Sequence, residues 1–188
     1  MKDTFEARSL NVQALCKDAG QLAGQWSIAG MPRLLESLFA TTDDDAPVEW
    51  QAAGSLRPAP GVEPQAWLHL QARAPVVLQC QRCLQAMPHG LQVDREFRFV
   101  RSAAEAERLD ETVEEDVLQL LPRLDLHELL EDELILTLPL VPRHEGACPT
   151  PLPQPIDDLE EEALAPNPFA ALAALRKDGG KGGSGGAD

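Results

Sequence analysis

The chain has 188 residues, of which 44% are apolar, and a formal net charge of −15. That length fits one ordinary domain, and that apolar fraction supports a packed core and excludes wholesale disorder. No stretch approaches the roughly 20 consecutive apolar residues of a spanning helix, and the start MKDTFEARSL lacks the basic-then-apolar layout of a signal peptide. The expected location is cytoplasmic.

With five Phe, three Trp and no Tyr, the core is expected to consist mainly of Leu, Val and Ala. Ser9 is placed to cap a helix through about Lys17, with Leu10, Ala14 and Leu15 on one side. Gln21–Ile28 partly alternates and reads as a half-buried strand. Gly30-Met31-Pro32 reads as a turn opening a helix with Leu34, Leu35, Leu38 and Phe39 as its stripe. After the polar connector TTDDDA, period-two alternation runs from Val48 to Val100, as expected of an antiparallel meander. The pair Cys80 and Cys83 falls near a connection between strands, and Met87–Gly90 reads as a turn cluster.

A short helix is expected around Ala103–Arg108 and a strand at Val113–Leu118. The best-defined helix follows. Asp125 is its cap, Glu128 completes a capping-box-like pair, and Leu126, Leu129, Leu130, Leu134 and Leu138 keep helical spacing until Pro139 stops it. The fold class is therefore α+β, an antiparallel sheet meander with flanking helices and a flexible C-terminal tail. Residues 1–148 form the domain, 149–177 a proline-rich acidic linker ending in a short helical motif, and 178–188 a disordered glycine-rich tail.

Charge is distributed unevenly. Residues 1–72 net −4, 73–101 net +3, 102–162 net −15 and the remainder +1. Since nucleic-acid affinity rests on Lys and Arg releasing phosphate counterions, any RNA contact belongs to the 73–101 block. Its candidates are Arg73, Arg82, Arg95, Phe97, Arg98, Phe99 and Arg101, with Arg95, Phe97, Phe99 and Arg101 on one strand face where bases could stack. The competing reading puts the phenylalanines in the core and the arginines at an edge or against acids. The acidic 102–162 region suits a basic protein partner, or solubility alone.

The spacing of Cys80 and Cys83 is that of a zinc knuckle, two thiolates from one tight turn. His144 and Cys148 are the available further ligands, and together the four would make a closed structural zinc site of three cysteines and one histidine. A reduced, metal-free pair is the alternative. Redox chemistry would require the pair to open a helix, whereas the flanks PVVLQ and LQAMPHG predict strand and turn. Runs such as Glu114-Glu115-Asp116 and Glu131-Asp132-Glu133 read as solvated faces, with Glu133 alone falling toward the leucine stripe and suited to a salt bridge. There is no phosphate loop, nucleophile elbow or zinc-protease motif. No enzyme is expected.

The order of these features resembles the YceD family. Strands lead into C-x-R-C at Cys80-Gln-Arg-Cys83, and an acidic segment precedes the helix–proline block Asp125–His144. A proline-rich acidic linker then leads to the N-P-F-A motif at Asn167–Leu175. The resemblance spans roughly residues 9–177 and implies an α+β fold and a role in synthesis, processing or stability of large-subunit ribosomal RNA. It implies no catalytic residues. Relatives in other bacterial groups carry a second cysteine pair where this chain has His144 and Cys148. Two functional expectations follow: a non-enzymatic ribosome-biogenesis factor contacting ribosomal RNA, or an acidic adaptor for a basic ribosomal protein or assembly factor, acting on the RNA indirectly. Neither involves a membrane or a small-molecule substrate.

Overall fold

A computed structural model of the chain describes residues 5–39, 42–59 and 62–149. The expected linker, C-terminal helical motif and tail, from residue 150 onward, lie outside the described residues. No described helix is long and apolar enough to cross a membrane.

The N-terminal segment makes a 3-10 turn at Ala7–Ser9 and then helix α1, Val12–Lys17. Asn11, not Ser9, caps α1: its side-chain oxygen accepts from the Ala14 N–H at 3.0 Å. Between the turn and the helix, Leu10 makes an antiparallel bridge to Leu124. Strand β1 spans Gln21–Ser27, and helix α2, Pro32–Glu36, starts with proline where no N–H is required.

Strands β2 (Pro47–Ala59), β3 (Val62–Gln79) and β4 (Ala86–Val100) form the expected antiparallel meander with β1. The expected turn at Met87–Gly90 is instead the start of β4, paired with Pro75–Leu78, and the connection is the cysteine segment itself. Proline is accommodated at position 88 because its partner Val77 sends both backbone groups the other way. The Val77 N–H donates to Thr42 Oγ1 at 3.1 Å and its carbonyl accepts from the Phe39 N–H at 2.9 Å.

After helix α3, Ala103–Asp110, strand β5, Asp116–Gln119, joins β4 in parallel, so the sheet is mixed in the order β1-β2-β3-β4-β5. A parallel pair needs a crossover, and residues 101–115 supply it through α3. Helix α4 spans Leu126–Leu136, and Asp125 caps it by accepting from the His127 and Glu128 N–H groups at 2.9 and 3.3 Å.

Alternation along the strands separates two faces. Val48, Trp50 and Ala52, Leu68, Leu70 and Ala72, and Leu91, Val93, Phe97 and Phe99 meet Leu126, Leu130 and Leu134 of α4 and Leu15 of α1 in the main core. Each of the three α4 leucines is fully buried and contributes about 1.5–3 kcal/mol relative to exposure. Gly54 lets α1 lie directly on the sheet, since a Cβ there would come within 2.9 Å of the backbone of Leu15 and Cys16. The opposite face is largely polar. Trp67 is buried on it under the Arg57 guanidinium, 4.2 Å from the ring centroid.

Candidate functional site

The β3–β4 hairpin is the longest pairing in the sheet, running from Ala66↔Phe99 to Gln79↔Ala86. At about 3.3 Å per residue it carries its connecting turn far from β5 and α3. That turn is a knuckle. The Cys80 N–H donates to the Gln85 carbonyl at 3.0 Å and the Leu84 N–H to the Cys80 carbonyl at 2.8 Å, with Leu84 in the left-handed region at φ 60°. A non-glycine residue bears about 1–2 kcal/mol of strain there.

The segment following α4 returns to this turn. Thr137 caps the helix two residues before Pro139, and the Gln81 N–H then donates to the Pro142 carbonyl at 2.9 Å. Residues 143–149 fold over the knuckle without helix or strand and bring His144 and Cys148 to Cys80 and Cys83. All four donor atoms lie within 4.8 Å of one another. The expected four-residue set is thus assembled.

Two of its donor pairs have the spacing of a tetrahedral site. Bond lengths of about 2.3 Å to sulfur and about 2.0 Å to nitrogen place donor atoms roughly 3.8 Å apart for two sulfurs and roughly 3.5 Å for sulfur and nitrogen. Here Cys80 Sγ and Cys148 Sγ are 3.9 Å apart, and Cys83 Sγ and His144 Nδ1 are 3.5 Å apart. All four cysteines of the chain are free thiols.

The electrostatics divide the thiols. Burial opposes ionisation of Cys80, but N–H groups of His144, Cys83 and Arg82 outweigh it and bring its pKa down to about 5. Burial also opposes ionisation of Cys148, whose pKa is nonetheless lowered by Arg82, Cys83 and His144. Cys83 is raised, first by burial and then by its neighbouring sulfurs. His144 is raised, chiefly by its hydrogen bond to Cys148. Cys80 and Cys148 are thus shifted toward the thiolate, the donor a soft divalent cation requires, while Cys83 and His144 hold their protons more tightly and would have to release them on binding.

The arginine block does not form one surface. Phe97 and Phe99 are 2% and 4% exposed and belong to the main core, so the expected open arginine–phenylalanine face is corrected: both rings are covered by the helices. Arg95 lies on the core side and reaches Asp116 at 2.8 Å and Glu133 at 3.4 Å. Arg101 pairs with Glu63 at the far end of the sheet. Arg82 sits in the knuckle, its Nε 2.9 Å from Cys148 Sγ. Arg73 and Arg98 share the polar face of the sheet, exposed and half-buried respectively. The phenylalanines thus follow the core reading, and of the arginines Arg95 and Arg101 are paired with acids.

Two acids of α4, Glu131 and Glu133, are buried. Glu133 has the salt bridge expected of it, to Arg95, and burial raises its pKa despite that pairing. Glu131, read from sequence as part of a solvated face, is 4% exposed. It accepts hydrogen bonds from the backbone N–H groups of Arg33 and Leu34, at 2.7 and 3.2 Å, capping α2 from α4. Nothing local to Glu131 signals this contact.

A helix-flanked mixed sheet whose longest hairpin ends in a cysteine–histidine cluster defines a small α+β protein with a candidate metal cross-link. The chain matches, over residues 68–176, the family described as large ribosomal RNA subunit accumulation protein YceD. It is 34% identical over 121 residues to the large ribosomal RNA subunit accumulation protein YceD of Haemophilus influenzae, covering 62% of this chain and 70% of that protein. No solved structure matches it. The chain belongs to the YceD family.

Proposed function

We propose that this chain acts in ribosome biogenesis as a non-catalytic cytoplasmic factor required for the accumulation of large-subunit ribosomal RNA. The observation that carries this reading is membership of a family named for that role. A strain lacking the chain should show a lowered ratio of large- to small-subunit ribosomal RNA, restored by the intact protein. An unchanged ratio would overturn the proposal.

Of the two routes to that effect, contact through a protein partner is favoured. Phe97 and Phe99 are unavailable for base stacking, and Arg82, Arg95 and Arg101 are engaged within the chain. Meanwhile Glu107, Asp110, Glu111, Glu114 and Glu115 stand exposed around α3. An acidic surface of this kind attracts a basic ribosomal protein or assembly factor. In-cell crosslinking with both RNA and protein readouts separates the routes. Loss of RNA adducts on replacing Arg73 and Arg98 with Ser would favour direct contact, and unchanged adducts with a basic protein captured would favour the adaptor.

We also propose that Cys80, Cys83, His144 and Cys148 hold a structural zinc ion. Four protein donors fill a tetrahedral ion, which would supply a cross-link between the β3–β4 hairpin and the segment after α4.

A further inference from the structure

We propose that Arg82, the residue between the two knuckle cysteines, is the positioning residue of the metal centre, holding the His144–Cys148 half of the site in place before the ion arrives. This rests on the zinc reading above and goes beyond it.

The two halves of the site are unequally built. Cys80 and Cys83 sit on a turn fixed by the hairpin register, by the Cys80–Gln85 and Leu84–Cys80 backbone bonds, and by complete burial of Cys80. His144 and Cys148 sit in a segment with no helix or strand of its own. Past the Gln81–Pro142 backbone bond, Arg82 bridges that segment to the knuckle twice. Its Nε donates to Cys148 Sγ at 2.9 Å, and a terminal N–H donates to the Gly146 carbonyl. Gly146 takes φ 84°, a left-handed conformation open to glycine.

One guanidinium thus grips the ligand sulfur and the turn that carries it. Only a planar fork with several fixed donors makes both bonds together; a lysine ammonium is a point charge on a flexible stem. The charge balance points the same way. Three thiolates, a neutral imidazole and a divalent zinc sum to one negative charge, in a cluster whose Cys80 is fully buried. Among the described residues, Arg82 is the one cation that hydrogen-bonds a donor sulfur. Outer partners of this type orient metal ligands, and their loss costs about 10–100-fold in metal affinity. The bonds that position Cys148 also explain why an exposed arginine in the most basic stretch of the sequence is not free to face RNA.

The full chain, reduced and metal-free, is compared with R82K and R82Q by zinc titration against a chromogenic chelator and by the spectrum of the cobalt-substituted protein. All three should keep the same far-ultraviolet circular dichroism, because Arg82 is exposed and outside the core. Wild type should bind one equivalent. R82Q should bind about 10–100-fold more weakly, release zinc faster, and show altered sulfur-to-cobalt charge-transfer bands. R82K, which keeps the charge and loses the fork, should fall with R82Q. Equal affinity in all three proteins would overturn the proposal. An R82K as tight as wild type beside a weakened R82Q would also overturn it, reducing Arg82 to a counter-charge. Wild type that binds no zinc would remove instead the metal reading beneath it.

Discussion

Arg33 and Glu131 are joined twice over: the Arg33 backbone N–H donates to one carboxylate oxygen at 2.7 Å, and its guanidinium reaches the other at 3.1 Å. The carboxylate replaces the intrahelical partners that the first turn of α2 lacks. Leu34, the fully buried residue of α2, is docked by the same group. Glu131→Ala should therefore lower unfolding free energy by about 1–3 kcal/mol, as expected for N–H groups of α2 left without an acceptor, the half-exposed Arg33 pairing adding little. Urea titration would show this as a lower midpoint with little change in slope. A midpoint within error of wild type would mean that α2 docks without its cap.

Gly54 gives a second stability prediction. Gly54→Ala places a methyl group 2.9 Å from backbone atoms of Leu15 and Cys16. Backbone cannot rotate away as a side chain can, so α1 must lift. The expected loss is about 1–3 kcal/mol, read as a lower melting temperature with reduced amide protection in Val12–Lys17. Undiminished protection of α1 would show that the helix does not rest on this strand.

Glu133 predicts a pH dependence. Burial holds its folded pKa above the ordinary value even with Arg95 nearby. A carboxyl raised on folding contributes stability in acid, fully present below its unfolded pKa of about 4.3. That contribution is lost as pH rises through the folded value. Glu133→Gln, neutral at every pH, should therefore gain on wild type between acid and neutral pH. A difference that shrinks as pH rises would show that the pairing with Arg95 outweighs burial.

Metal removal gives the last prediction. Cys80→Ser, or chelation of the wild type, should release the ion and lower the melting temperature by roughly 5–10 °C. In a domain of this size that corresponds to about 2–3 kcal/mol. The main core does not include the four ligands, so the chain should remain folded. New protease cleavage should then appear in residues 140–149. Identical melting and digestion with and without chelator would remove zinc from the description.

Much of this architecture is legible in the sequence, and what is missed has a common cause. Period-two alternation marks the meander because β2, β3 and β4 each bury one face, and the cap and leucine spacing mark α4 because they are local. The cysteine–histidine cluster is legible because a cysteine pair at this spacing has few uses and His144 and Cys148 follow the helix. The parallel pairing of β5 is hidden, since four residues cannot announce their direction. Glu131 is hidden because the N–H groups it caps lie 98 and 97 residues away. Phe97 and Phe99 mislead because alternation with arginine looks the same on a core face and on an open one. Only the placement of α4 decides which it is.

The bridge between Leu10 and Leu124 bears on how the chain folds as it is made. It joins the first buried residue of the described chain to the start of α4, across more than half its length, and both of its backbone bonds are present. Synthesis proceeds from the N-terminus at roughly 5–20 residues per second. The opening segment therefore waits seconds for its partner. During that wait α1 can rest on β2, but the bridge partner of Leu10 does not yet exist. The slow step of folding should be this long-range closure, reached only once α4 has been synthesised.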